Sequence, residues 1–374
     1  LPFDKNVGSI LLVGKATYVD NAVMGCCGGS SDVIPLYTVK PLAGMQNTLE
    51  AIGSNAQVKL IVVDEENGNL SEAVAAAKSA DAVVIMAGTL SEEGKDRRGI
   101  SLDDGDLRHI RDEKYINTNQ VAMISAIAGA NPDKTALVLK DNASSLLPFI
   151  DSIPAVLEVW FPGQEDGNIV ADLVFGIENP SGKLPVTFPI AGKGFLDFIA
   201  ADPSYFPGVP LAGKGAGEYK EKLNIGYRWY DANVSGECGL SADKTNPCIA
   251  FPFGHGLSYT SFELSDPGVK RDGDKYIVSV AVTNTGAREG AEVVQVYLGI
   301  PAEGQPPKRL VGFEKLNLEP GATQELVISI DPAATNHPLG VYDAATKQFV
   351  NPTGTYQVYV GTSSSGKDLK AISF

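Results

Sequence analysis

From Ser9 to about Phe188 the chain alternates short β-branched apolar runs with stretches whose apolar residues recur at helical spacing. The runs are SILLVG, VKLIVV, AVVIMAG, TALVLK and AVLEVW. Between them SEAVAAAKSA (Ser71 to Ala80), NQVAMISAIAGA (Asn119 to Ala130) and GNIVADLVFG (Gly167 to Gly176) suit helices. Such alternation predicts an α/β fold, a mostly parallel sheet covered by helices on both faces. In sheets of that kind ligands collect at the carboxyl ends of the strands.

From Ile190 to about Gly256 the periodicity disappears and glycine, proline and aromatic residues take over, which reads as a long connector packed against its neighbours. From Leu257 onwards apolar and polar residues alternate strictly, in KYIVSVAVTNTG, AEVVQVYLGI, KRLVGFEKLNL, QELVISI and GTYQVYVG. Turn signals at Gly and Pro separate these segments, so a β-sandwich of about a hundred residues is expected.

With 374 residues the chain exceeds what one core supports, and two or three domains are expected. The balance of 45 acidic against 30 basic side chains gives a net charge of −15, which repels phosphate backbones and anionic lipid. No nucleic acid and no membrane is therefore expected as a partner. No apolar run approaches the roughly eighteen residues that span a bilayer, and the opening LPFDKNVGS lacks the basic and apolar regions of a signal peptide. Because the chain runs at once into a strand-like segment, an upstream part is expected to be missing. Cys238 and Cys248 are predicted to close a loop as a disulfide, and the adjacent Cys26 and Cys27 to be buried free thiols. Neither pair has CxxC spacing, so no metal is expected. Sequons at Asn69, Asn142 and Asn233 agree with a secretory route, so the protein is expected to be secreted or periplasmic.

Two loops carry candidate chemistry. GTLSEEGKDRRG, Gly88 to Gly99, follows the apolar AVVIMAG directly and places Glu92, Glu93 and Asp96 beside Arg97 and Arg98. Carboxylates beside guanidinium groups at a strand end suit acid/base work on a polar substrate, although a solvated charged turn is the plainer reading. A carboxyl that donates a proton near neutral pH needs burial, which a neighbouring domain would have to supply. The second loop, in CCGGSSDVIPLYT, presents Ser30, Ser31 and Asp32. It lacks GxGxxG spacing, and Pro35 and Pro41 interrupt the segment after it, so neither a well-formed helix nor a phosphate cradle is expected. It is left as an ordinary connection or as a loop that hydrogen-bonds hydroxyls. No GxSxG elbow is present, and His109, His255 and His337 are scattered, so a Ser or Cys nucleophile is disfavoured.

Several stretches together resemble the family 3 glycoside hydrolases, the β-glucosidase and β-xylosidase family. They are GGSSDVIPLYT, SEEGKDR, AVLEVWFPGQEDGNIVADLVFGIENPSGKLPVTFP, NIGYRWYD, FPFGHGLSYTSFE, AEVVQVYLG, RLVGFEKLNLEPG and GTYQVYVG, in the family's order and over essentially the whole chain. The resemblance implies an α/β sandwich domain over residues 1–205, a connector over 206–259 and a fibronectin type III-like domain over 260–374. Missing is the family's first domain, a (β/α)8 barrel with the aspartate nucleophile in an SDW-type motif and a Lys-His pair that grips the sugar; neither SDW nor KHF occurs. These enzymes hydrolyse β-glycosides with retention through a carboxylate nucleophile and a carboxylic acid/base. By this resemblance Glu93, directly before the glycine of SEEG, is the acid/base, with Glu92 the alternative. Asp96 and Arg97 match the family's D-R step that keeps the loop's shape, and Ser30 and Ser31 match the serine that touches the sugar beside the cleaved bond. The implied protein is an exo-acting β-glucosidase for β-linked glucosides or oligosaccharides, without cofactor or metal, completed by a barrel on a separate or cleaved chain and inactive without it. The alternatives are a β-xylosidase or broad exo-β-glycosidase, and a non-catalytic carbohydrate-binding or scaffolding remnant.

Overall fold

In the computed structural model, residues 1–24, 33–91, 97, 99–104, 117–205, 208–211 and 214–373 are described. The chain divides into two compact units, Leu1–Glu178 and Asn179–Phe374.

The first unit contains β1 (Ser9–Lys15), α1 (Ala16–Val19), α2 (Pro41–Ala51), β2 (Gln57–Val63), α3 (Leu70–Ser79), β3 (Ala82–Gly88), α4 (Gln120–Ala130), β4 (Thr135–Lys140), β5 (Ala155–Glu158) and α5 (Asp166–Phe175). The five strands lie in the order β2-β1-β3-β4-β5, every neighbouring pair parallel. The α/β reading is therefore borne out. Every residue of the central strand β3 is buried, as a strand covered on both faces requires, whereas edge strand β2 alternates exposed and covered positions. Helices α2 and α5 pack together, as do α3 and α4. One face of the sheet packs Ile10, Leu12, Val84, Met86 and Val138 against Met45 of α2 and Val170 and Val174 of α5.

Pro41 corrects the sequence reading. Instead of interrupting the segment, it stands at the first position of α2, where a proline lacks nothing because that N–H has no helical partner. Helix α2 meets α5 at glycines: a Cβ on Gly44 would lie 1.9 Å from the carbonyl carbon of Gly167, and one on Gly167 2.2 Å from the carbonyl oxygen of Lys40. This backbone-to-backbone approach fixes the start of α5 against the segment that follows the serine loop.

In the second unit, the short helices Phe195–Ala200 and Tyr227–Ala232 and a disulfide between Cys238 and Cys248 gather a small aromatic core around Trp229 and Tyr230. The cysteine pairing agrees with its sequence prediction. The sandwich follows, with β6 (Phe262–Asp272), β7 (Lys275–Asn284), β8 (Gly290–Gly299), β9 (Arg309–Leu318), β10 (Thr323–Ile330), β11 (Gln357–Gly361) and β12 (Leu369–Ser373). A three-stranded sheet β6-β7-β10 and a four-stranded sheet β9-β8-β11-β12, both antiparallel, share one core. Val278, Val280 and Val282 come from the first sheet and Val294, Val296 and Val358 from the second. Strand β6 was not among the expected strands; its turn-forming Asp266, Pro267 and Gly268 lie at an irregularity inside the strand, with Asp266 at φ 49°.

Candidate functional site at the carboxyl edge of the sheet

The chain order β2-β1-β3-β4-β5 reverses between β1 and β3, which marks the switch point of the sheet. The serine loop departs from β1 by way of α1, and the SEEGKDR loop departs from β3. Both candidate loops thus spring from the carboxyl ends of the two strands that flank the switch point. Ser30, Ser31 and Asp32, Cys26 and Cys27, and Glu92, Glu93, Asp96 and Arg98 lie outside the described residues. What is described is the stem of each loop and the framework beneath it.

The serine loop is held at both ends by the segment Pro162–Gly167 (PGQEDG). Before the loop, Val23 donates its N–H to Asp166 Oδ2 at 2.8 Å, and its carbonyl accepts from the Gly163 N–H at 3.0 Å. After it, the Val39 N–H reaches the Gln164 carbonyl at 2.7 Å and the Val39 carbonyl accepts from Gly167 at 2.9 Å. Tyr37 donates its hydroxyl to Glu165. Asp166 is anchored in turn by Lys140, whose Nζ lies 2.7 Å from Oδ1 and 2.8 Å from Oδ2 and also donates to the Tyr18 carbonyl at 2.7 Å. Both side chains are fully buried. Burial lowers the Lys140 pKa and raises that of Asp166, and each partner opposes the shift of the other.

The SEEGKDR loop is fixed at its first stem by Gln120. Its side-chain amide accepts from the Gly88 N–H and donates to the Gly88 carbonyl, both at 3.0 Å, and donates to the Leu102 carbonyl at 2.8 Å. Thr89 Oγ1 stands 3.0 Å from Asp141 Oδ1 and 2.8 Å from Asn142 Oδ1, and Asn142 donates its side-chain N–H to Ser91 Oγ at 2.7 Å. On the returning stem Arg97 donates to the Ser144 carbonyl at 3.3 Å, and the Ile100 carbonyl accepts from the Leu146 N–H at 2.9 Å.

Beneath these contacts lie two carboxyl groups that the sequence reading gave no role. Asp141 is 1% exposed, and its N–H points to Glu158 Oε1 at 3.4 Å, an oxygen that also accepts from Trp160 N–H at 2.8 Å. Burial pushes both carboxyls up, and the charge of Asp141 pushes Glu158 further. Thr89 and Arg97 oppose the shift at Asp141. Of the two, Glu158 is pushed further up and holds its proton more firmly, while Arg97 favours the charged form of Asp141. A carboxyl with a raised folded-state pKa stabilises the fold fully below its unfolded pKa, and the contribution is lost as pH rises through the folded one. Glu158→Gln is expected to flatten the decline of Tm from mildly acidic to alkaline pH; an unchanged profile in thermal melts would refute the protonated assignment. Asp141 and Glu158 left a weak trace in the sequence: each is an acid inside or immediately after an apolar strand, in LVLKD and AVLEVW.

The first unit is thus a five-stranded parallel α/β unit with two candidate loops departing at its switch point, and the second carries an antiparallel sandwich. Residues 1–259 match the glycosyl hydrolase family 3 C-terminal domain and residues 292–364 match a fibronectin type III-like domain, so the chain belongs to glycoside hydrolase family 3. It is 35% identical over 390 aligned positions to thermostable beta-glucosidase B of Acetivibrio thermocellus, covering 99% of this chain and 45% of that protein. To beta-glucosidase B of Emericella nidulans it is 32% identical over 351 positions, covering 90% of this chain and 37% of that protein. The structure of DesR, a beta-glucosidase from Streptomyces venezuelae in complex with D-glucose, superposes with a TM-score of 0.81 at 26% identity, over 100% of this chain and 57% of that one. The chain thus spans between about a third and somewhat over half the length of these relatives.

Proposed function

We propose that these residues are the acid/base-bearing part of a retaining, exo-acting β-glucosidase whose aspartate nucleophile lies on a (β/α)8 barrel outside them. The observation that carries this reading is the departure of the serine loop and the SEEGKDR loop from β1 and β3, at the switch point where open parallel sheets bind ligands. Glu93 is the proton donor to the leaving oxygen and later the base that activates water. Ser30 and Ser31 hydrogen-bond the sugar in the subsite beside the cleaved bond. Retention requires the Glu93 carboxyl to stand about 5 to 5.5 Å from the nucleophile, so the covering barrel supplies both the nucleophile and the burial that tunes the acid. Two carboxyl groups suffice, and the chemistry calls for no cofactor or metal. The β-glucosidase relatives support glucosides over xylosides as substrates. The Cys238–Cys248 bond supports an oxidising destination, secreted or periplasmic.

Mixed with its barrel, the chain is expected to hydrolyse para-nitrophenyl β-glucoside and to release β-glucose as the first-formed anomer in proton NMR, while the chain alone gives no turnover. Turnover by the chain alone, or α-glucose appearing first, would overturn the reading. Faster cleavage of the β-xyloside would move the assignment to a β-xylosidase.

A further inference from the structure

The segment after β4 touches both stems of the SEEGKDR loop. On the outgoing stem, Asp141 and Asn142 meet Thr89 and Ser91. On the returning stem, Ser144 accepts from Arg97, Leu146 bonds to Ile100, and Ser101 bridges to Leu146 in parallel register. Glu158 underlies the segment from the end of β5, where its Oε1 takes the N–H groups of Asp141 and Trp160. The tips of three adjacent strands, β3, β4 and β5, are thereby tied through one buried carboxyl cluster to the entry and exit of the loop.

We propose that Asp141, backed by Glu158, is a positioning residue for the acid/base loop, holding its two stems at a fixed separation and so setting the aim of Glu93. This inference rests on the reading of Glu93 as acid/base. Asp141 accepts from Thr89 on the outgoing stem, and the chain that follows it reaches the returning stem through the Ser144 carbonyl on Arg97 and the Leu146 N–H on Ile100, with the charge of Asp141 acting on Arg97 besides. Glu158 acts as a neutral acid that keeps Asp141 in place. The other groups acting electrostatically on Arg97 are Tyr18, from α1, and Asp104, from the turn Leu102–Asp104.

The test uses the enzyme completed with its barrel and two substrates. Phenyl β-glucoside has a poor leaving group that needs the acid, and dinitrophenyl β-glucoside has a good one that does not. Asp141→Asn is expected to lower kcat/KM on the phenyl glucoside by roughly ten- to a hundredfold, a fraction of what general acid catalysis supplies, with less than about a threefold change on the dinitrophenyl glucoside. Arg97→Lys, which leaves the carboxyl pair intact, is expected to show the same asymmetry. Glu158→Gln keeps a neutral hydrogen-bonding group and is expected to stay within about threefold of the parent on both substrates, whereas Glu158→Ala is expected to follow Asp141→Asn. Equal losses on the two substrates mean general damage to the fold and overturn the proposal, as does no loss on either. Glu93→Ala in the same series separates the two levels. If it shows no dependence on the leaving group, the reading of the loop fails and this inference with it. If it shows that dependence and Asp141→Asn does not, the inference alone fails.

Discussion

Glu93→Ala in the barrel-completed enzyme is expected to slow cleavage of phenyl β-glucoside by about 10² to 10⁴-fold, the range that a positioned general acid supplies. The loss follows from the two steps of a retaining hydrolase. In the first, the alanine enzyme must expel a phenolate unprotonated; in the second, it must add water without a base. With a dinitrophenyl leaving group the first step hardly suffers, so the glycosyl-enzyme accumulates and both kcat and KM fall together. Azide, which attacks without deprotonation, is expected to restore turnover and give β-glucosyl azide. A parent-like rate on the phenyl glucoside would remove Glu93 from the mechanism. If Glu92→Ala instead showed the loss and the azide rescue, the role would pass to Glu92.

Asp166→Ala is expected to destabilise the α/β unit by about 3 to 5 kcal/mol, measured by chemical denaturation, because it leaves the Lys140 ammonium buried with, among the described residues, the Tyr18 carbonyl as its remaining partner. The size comes from the uncompensated charge, since a solvent-exposed ion pair contributes about 0 to 1 kcal/mol. Replacing both partners, as Lys140→Met with Asp166→Leu, is expected to recover much of the loss. Recovery stays incomplete because the Val23 N–H, which donates to Asp166 Oδ2, would lose its acceptor. A loss below about 1 kcal/mol for Asp166→Ala would mean that water reaches the pair.

The strands of the first unit were legible because they are covered on both faces: AVVIMAG and TALVLK are continuous apolar runs, and in β3 and β4 every residue is buried. The sandwich strands were legible from the opposite signal, an alternation such as that of β7, where the buried Val278, Val280 and Val282 are separated by Ser279 and Ala281. Helix α2 was missed because proline was weighed as a breaker, while its first-turn position makes it a starter. Strand β6 was missed because an aspartate, a proline and a glycine in succession carry the local chemistry of a turn, and only pairing with β7 overrides it. The resemblance pointed to the two loops through their motifs. It gave no sign of the framework beneath them, since Asp141 and Glu158 acquire meaning only when parallel pairing places the ends of β4 and β5 side by side.

Lys140 and Asp141 are consecutive, and along a strand consecutive side chains point to opposite faces. Lys140 reaches Tyr18 and Asp166 at the stem of the serine loop, while Asp141 reaches Thr89 at the stem of the SEEGKDR loop. One dipeptide at the tip of β4 therefore indexes two loops at once, and inserting a single residue before it would exchange their sides. For anyone recombining members of this family, the transplantable unit is accordingly larger than either loop. A graft of SEEGKDR that leaves Lys140-Asp141 behind carries the proposed acid/base without the framework that holds its stem.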